Sequence, residues 1–363
     1  MSADVATSGF DSNSPTKSRG ERNGLLPEPV RWDDLKNLPD PEWLVEGLPM
    51  KGHYTLLMFQ PKAGKTTFLC HLLAAMEQGG SFGGAVKPGK VLVVTEKSPT
   101  LWKRRGQTVG YHQNVRFLCR PFMSRPTRQQ WEQTVGMLLA AQAADPCDLI
   151  VLDTFAGVFC GDNENGSVDM QTFLTPLHQL TQAGAAVLIV HHARKPQEGD
   201  GDGVQVSRGS NALPGFVDIV ASLAKDGSTR RRILTITSRF SDKLEWVYEL
   251  SGDNRQYQFL GDRDAANQQS RLTTIGLILQ GHTEGLTEPQ VLDAWPQGVK
   301  PGNTMLRKDL QAGVAAGRWE RSGKGVKGSP YTYSIPAATP PYRGSTESEP
   351  SAGRRALPDP CCN

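Results

Sequence analysis

The stretch that most constrains this chain is Tyr54 to Thr67, YTLLMFQPKAGKTT, where an apolar run breaks into a Pro/Gly turn and closes on Gly64-Lys65-Thr66-Thr67. A short continuous apolar run bounded by turn residues reads as a buried strand, and Phe68 to Met76 behind it reads as a helix. The turn is therefore expected where a parallel strand feeds a helix N-terminus. Successive backbone N–H groups and the positive end of the helix dipole favour a polyphosphate there, with Lys65 reaching its terminal oxygens and the Thr66 hydroxyl holding Mg²⁺. The candidate phosphate-binding residues are Gln60, Pro61, Lys62, Ala63, Gly64, Lys65, Thr66 and Thr67. Phe59 stands where the pattern G-x-x-x-x-G-K-[ST] has its first glycine. The plainer alternative is an ordinary strand-to-helix turn with a solvated lysine.

The rest of the chain supplies partners for such a loop. Val91 to Thr95 reads as a second buried strand, and it ends on Glu96. A carboxylate at the carboxyl end of a strand beside the loop lies in the crevice where open parallel sheets bind ligands, and it can orient or deprotonate an attacking water. A capping or surface acid is the alternative. Leu101 to Arg105 reads as an exposed basic helix turn at a possible subunit contact, Val115 to Cys119 as a short strand, and Thr127 to Ala144 as an amphipathic helix through Trp131, Val135 and Leu138. Cys147 to Thr154, CDLIVLDT, then gives a further buried strand ending in Asp153, a carboxylate suited to hold Mg²⁺ together with Thr66. The polar segment Gly157 to Asp169 is expected to be a mobile loop, followed by one helix over Met170 to Ala183 and a strand, Ala186 to Val190, that runs into His191 and His192. Adjacent histidines point in different directions and make a poor zinc pair. One of them can instead contact a terminal phosphate, or make a structural hydrogen bond within the sheet. Late strands at Arg231 to Phe240 and Leu244 to Leu250 suit antiparallel additions at one sheet edge.

Length and composition bound the alternatives. A chain of 363 residues has room for a large core domain, a smaller one and tails. Lys+Arg 40 against Asp+Glu 37 gives no global basic character, so any nucleic-acid binding must be local. The cysteines show neither metal-ligand spacing nor a paired framework, which fits a reducing cytoplasm. No stretch approaches the roughly 18 to 20 continuous apolar residues of a membrane span. Residues 1–27 and 336–363, poor in apolar positions, are expected to be disordered tails. Between them Val30 to Pro49, with Trp43, reads as a strap packed on a core domain spanning 28–260; Trp43 could alternatively stack on an adenine ring.

Taken in order, WLVEGLPMKGHYTLLMFQPKAGKTT, VLVVTE, DLIVLDTFAG, VLIVHHARK, VSRGSNALPGFVD and LTITSRF resemble the RecA-like core of hexameric replicative helicases, closest to the RepA-type plasmid-replication helicases and the AAA-25 ATPases. The resemblance implies an α/β fold, a RecA-like P-loop core with a mainly parallel sheet. It implies ATP and Mg²⁺ as ligands, with Lys65 on the phosphates, Thr66 and Asp153 on the metal, Glu96 as the water-activating base and His192 as the γ-phosphate sensor. Arg239 matches the arginine finger that one subunit inserts into its neighbour's site, so a homo-oligomer, possibly a hexamer, is implied. The loop after His192 is acidic where helicases often carry DNA-contacting lysines, leaving Arg194, Lys195 and Arg208 as candidates for single-stranded DNA.

After a polar joint at Gly261 to Gln269, three helical segments and a Gly/Lys-rich hairpin over 270–335 resemble a winged helix. This stretch holds 8 Lys/Arg against 5 Asp/Glu, with Arg307 and Lys308 on the third helix and Arg321, Lys324 and Lys327 on the hairpin, a placement suited to duplex phosphates. A protein-docking module is the competing reading. The expectation is thus a Mg²⁺-dependent, ATP-hydrolysing motor acting on DNA. The alternative is a DNA-binding regulator or loader whose ATP site switches assembly without unwinding, and a scaffold with a degenerate site is the third possibility.

Overall fold

The computed structural model describes residues 29–336 apart from 61, 112, 193–211, 228 and 254. Both expected disordered tails, apart from Pro336, lie outside these residues. By compactness the chain forms two units, 1–41 and 42–363. In the first, the described part holds one short helix, α1 (Trp32–Leu35), none of whose residues is buried, with Lys36 paired to Asp33 at 2.6 Å.

The second unit is built on a nine-stranded sheet. In chain order its elements begin with β1 (Tyr54–Phe59) and α2 (Lys65–Gln78), the small hairpin β2 (Gly80–Phe82) and β3 (Gly84–Val86), β4 (Val91–Thr95), α3 (Pro99–Val109) and β5 (Val115–Cys119). Then come α4 (Arg128–Ala144), β6 (Leu149–Asp153), α5 (Phe155–Val158), α6 (Ser167–Leu174), a 3-10 turn at Thr175–Leu177, α7 (His178–Gln182), β7 (Ala186–His192) and α8 (Ala212–Phe216). The strands β8 (Ile219–Lys225), β9 (Arg231–Ser238), β10 (Leu244–Leu250) and β11 (Tyr257–Asp262) complete the sheet, in the order β11-β10-β9-β8-β1-β7-β6-β4-β5. Strands β8, β1, β7, β6, β4 and β5 are all parallel, and β9, β10 and β11 add antiparallel to one side.

The central strands are apolar on both faces because both are covered, as expected of parallel sheets. Leu57, Phe59, Val93, Val151, Leu188 and Val190 pack with α2, whereas Leu56, Val94, Ile150, Leu152, Val187 and Ile189 pack with α4 and the helices around Phe173. Thr127 caps α4 with a reciprocal box through Gln130, which fixes where the helix begins. Of the strap expected over Val30 to Pro49 only the later part packs: Leu44, Val45, Leu48 and Met50 are buried and Trp43 joins the same cluster, so it serves packing, whereas Val30, Trp32 and Leu35 are exposed.

The glycine-rich stretch after α2 forms the β2–β3 hairpin, with Gly80 paired to Val86 and Phe82 to Gly84. Several expectations are corrected. Leu101 to Arg105 is not a wholly exposed turn, since Trp102 on α3 is buried and its carbonyl accepts from Tyr111 Oη at 2.9 Å. The segment after β6 is not all open loop, because α5 forms and Val158 and Phe159 are buried. The single helix expected over 170–183 is broken at Pro176, whose missing N–H cannot continue the α-helical ladder, leaving a 3-10 turn between α6 and α7.

The polar joint expected at 261–269 does not exist as a linker. Its place is taken by the end of β11 and by α9 (Arg263–Gln280), capped by the Asp262 side chain, which accepts from Ala265 N at 2.8 Å. The sheet thus runs to 262 and the terminal helices start at 263. Beyond it lie α10 (Glu288–Asp293), α11 (Asn303–Ala315) and the antiparallel pair β12 (Glu320–Ser322) and β13 (Thr332–Ser334), with Leu286 bridged to Tyr333. Leu272, Ile275, Leu279, Val291, Leu306, Leu310 and Trp319 form a core separate from those of the sheet. Within it Asp309 is fully buried and held by Arg271, Nε to Oδ2 at 2.5 Å. Such a pair is tolerated because both charges are matched. Arg231 Nη2 to Ser270 Oγ, 2.5 Å, ties α9 back to the sheet.

Candidate active site

Parallel register brings the carboxyl ends of β1, β4, β6 and β7 to one rim. Thr95 is opposite Asp153, Asp153 opposite Val190, and Phe59 opposite His192. The residues that follow or end these strands are therefore neighbours although far apart in sequence. Phe59, fully buried, stacks edge-on against Phe68 of α2 with ring centroids 5.9 Å apart. The missing first glycine is thus replaced by a strand-end anchor that pins the helix under the loop.

The loop from Gln60 to Gly64 leads directly into α2. Gln60 N donates to Leu223 O at 3.2 Å, extending the β1–β8 ladder by one residue. Gly64 caps α2 in the left-handed region, φ 98°, and a Cβ there would collide with Tyr257 Oη, so glycine is required twice over. The carbonyl of buried Ala63 accepts from Arg232 Nε at 3.0 Å and from Tyr257 Oη at 3.1 Å. Sequence reasoning missed both braces. Pro61 lies outside the described residues.

Lys65, the first residue of α2, points into the rim. Its Nζ lies 3.5 Å from Asp153 Oδ1 and 3.4 Å from His192 Nε2. Burial pushes the lysine below its usual range, and the Asp153 carboxylate opposes that shift. Asp153 is fully buried, and its Oδ2 is paired with Lys97, a residue the sequence reading did not single out. Glu96 sits beside it, its backbone N donating to Asp153 O at 3.3 Å, while Thr154 Oγ1 donates to Glu96 Oε1 at 3.4 Å. Gly157 leaves room for this carboxylate, since a Cβ there would stand 2.9 Å from Glu96 Oε2. The two histidines separate as expected of successive strand residues: His192 faces Lys65, and His191 is buried and stacked on Phe155 at 4.8 Å.

Lys65, Glu96, Asp153 and His192 therefore converge, with Thr66 in the first turn of α2. Asp153 Oδ1 is buried and accepts no hydrogen bond among the described residues. A buried carboxylate oxygen at the rim and the Thr66 hydroxyl in the first turn of α2 are oxygen donors of the kind Mg²⁺ takes. A cavity of about 400 Å³ between α2 and α3 shares only Thr67 with the loop and is lined otherwise by residues such as Cys70, Arg104 and Arg105; none of Lys65, Glu96, Asp153 and His192 lines it.

Comparison with known families finds a match, and it covers the segment that carries this rim. The AAA-25 family, described as an AAA domain, matches residues 21–198. That segment is similar to an AAA domain. It carries the loop, Glu96, Asp153 and His192, and it supports a nucleotide-hydrolysing P-loop ATPase with a RecA-like sheet. The match stops before Arg239 and the terminal helices. No curated protein matches the chain.

Arg239 is not part of this rim. It follows β9, which runs antiparallel, and Ser238 pairs with Ile219, itself opposite Thr55 at the start of β1. The arginine thus lies at the opposite end of the strands, where Nη2 donates to Gly215 O at 2.9 Å and Nη1 is 3.5 Å from Asp218 Oδ1. Arg194, Lys195 and Arg208 lie outside the described residues. In the terminal unit Lys308, Arg321, Lys324 and Lys327 are exposed, but Arg307 is held by Glu288, with Nη2 to Oε2 at 3.0 Å and Nε to Oε1 at 3.2 Å. Among the described residues no helix is long and apolar enough to cross a membrane.

Proposed function

We propose that this protein is a Mg²⁺-dependent ATPase of the RecA-like motor type that acts on DNA as a homo-oligomer, in the manner of a RepA-like helicase. The observation that carries the ATPase half is the convergence of Lys65, Glu96, Asp153 and His192 on one rim beside the N-terminus of α2. The backbone N–H groups at Gly64 to Thr66 receive the β- and γ-phosphates, and Lys65 neutralises them. Thr66 and Asp153 would hold Mg²⁺, which when bound neutralises charge between the β- and γ-oxygens. Glu96, its Oε1 fixed by Thr154, orients the attacking water and takes its proton at Oε2. His192, already beside Lys65, contacts the γ-phosphate and registers its loss.

The DNA half rests on the terminal unit. Three helices over one core, with a hairpin carrying exposed Lys324 and Lys327, support a winged-helix module that contacts duplex phosphates through Lys308 and the hairpin. The bidentate hold of Glu288 on Arg307 removes one cation from that surface and favours the second reading, a regulator or loader whose ATP site switches assembly. ATP turnover with and without single-stranded and duplex DNA, followed by strand displacement on a forked duplex, separates the two. Stimulation by single strands with displacement is expected; duplex binding with slow, unstimulated turnover would instead establish the regulator.

Exposed Arg239, remote from its own rim, suits a finger given to a neighbouring subunit. Arg239→Ala is expected to lower turnover by about a thousandfold while leaving nucleotide affinity intact. Mixing it with a Lys65→Ala subunit should restore part of the activity at composite sites. Wild-type turnover in the Arg239 variant would remove the arginine from the mechanism.

A further inference from the structure

The rim contains a cation that neither the phosphate loop nor the strand-end acids account for. Lys97, one residue beyond Glu96, pairs with Asp153 Oδ2, so the fully buried carboxylate lies between two lysines, Lys65 on Oδ1 and Lys97 on Oδ2. Lys97 is itself largely buried, with 16% of its side chain exposed. Its backbone N donates to Thr95 Oγ1 at 3.2 Å, and its ammonium lies 5.7 Å from the centroid of the buried Trp102 ring. The residue is thus anchored at its backbone, paired at its head and flanked by an aromatic face that also attracts a cation.

A buried carboxylate is costly unless its charge is matched. In a phosphate-loop ATPase the match for this acid is the metal that accompanies the nucleotide, and Lys65 is drawn toward the phosphates when they bind. Something must hold Asp153 when neither is present. We propose that Lys97 is a positioning residue that neutralises Asp153 from Oδ2 in the nucleotide-free site, loosens its hold on the carboxylate when nucleotide and a metal at Oδ1 arrive, and swings toward the face of Trp102. Two cations drawn to the two oxygens of one buried carboxylate repel each other with little water to screen them, so Lys97 and the metal compete. Lys97 then sets how strongly nucleotide binding depends on the metal: it supports metal-free nucleotide through its own charge and weakens the metal's hold.

This inference rests on the nucleotide-site reading, and its test separates the two. Mn²⁺ binding to the full chain in the presence of ADP, followed by electron paramagnetic resonance without turnover, is compared for wild type, Lys97→Met and Lys97→Arg. Removal of the competing charge in Lys97→Met should tighten Mn²⁺ by about tenfold, equivalent to about 1.4 kcal/mol. Binding of a fluorescent ADP in EDTA should weaken, and the rise in melting temperature on adding Mg²⁺ and ADP should exceed that of wild type. Lys97→Arg, which keeps the charge, should stay close to wild type in all three. If Lys97→Met does not fold, Lys97→Gln takes the same measurements. Unchanged or weaker Mn²⁺ affinity in the neutral variants, with ADP still bound, would overturn the role of Lys97 alone. Failure of the wild-type chain to bind ADP at all would overturn this role and the nucleotide site together.

Discussion

Replacing Lys65 by alanine is expected to abolish ATP turnover, lowering it by at least about a hundredfold, and to weaken nucleotide binding as well. The reason lies in the environment of the ammonium. It is 14% exposed, beside Asp153 and His192, at the start of a helix whose N–H groups already face the phosphate position. A positive charge held in so little water acts on phosphate oxygens with far less screening than a surface lysine would. Burial lowers its proton affinity, and Asp153 restores part of it, so the carboxylate also keeps this lysine charged. The fold itself should survive, because Lys97 continues to neutralise Asp153 and Phe59 and Phe68 keep α2 in place. A melting temperature close to wild type with turnover and fluorescent-nucleotide binding both lost is the expected pattern. Turnover within about threefold of wild type would remove the loop from the chemistry.

Much of this site can be read in the sequence because its parts sit at the ends of apolar runs. Leu149 to Leu152 are buried on both faces and Val91 to Val94 nearly so, with only Leu92 half-buried, so their composition announces strands, and the residues that close them, Asp153 and Glu96, are then placed by the logic of parallel sheets. The same logic fails where burial is partial. In β11 every position from Tyr257 to Asp262 is exposed or half-buried, and the first turns of α9 bury only Ala266, so both segments carry a linker's composition. Tyr257 and Arg232, which brace Ala63, are identified by contacts across 194 and 169 residues of chain, and no local pattern reports those. Lys97 is hidden for another reason. A single lysine after a strand-end acid reads as solvated, and only the register of β4 against β6 shows that it meets Asp153.

Glu96→Gln should separate catalysis from binding in a way that Lys65→Ala cannot. The amide has the shape of the carboxylate and can still accept from Thr154 through its oxygen, so the side chain should remain beside Gly157 and the loop should be undisturbed. What it loses is the capacity to take a proton from the attacking water. General-base assistance of this kind contributes about a hundredfold to ten-thousandfold, and kcat should fall by that order while nucleotide affinity changes little. Nucleotide should then accumulate unhydrolysed on the protein, measurable by filter binding followed by separation of ATP from ADP. The environment argues that Glu96, and not Asp153, is the base. Asp153 is fully buried with each oxygen turned to an ammonium group, Oδ1 to Lys65 and Oδ2 to Lys97, whereas Glu96 is exposed at the rim, where a water can reach its carboxylate. A Glu96→Gln chain that turns over at the wild-type rate would shift the base to another group and leave Asp153 as the next candidate despite its partners.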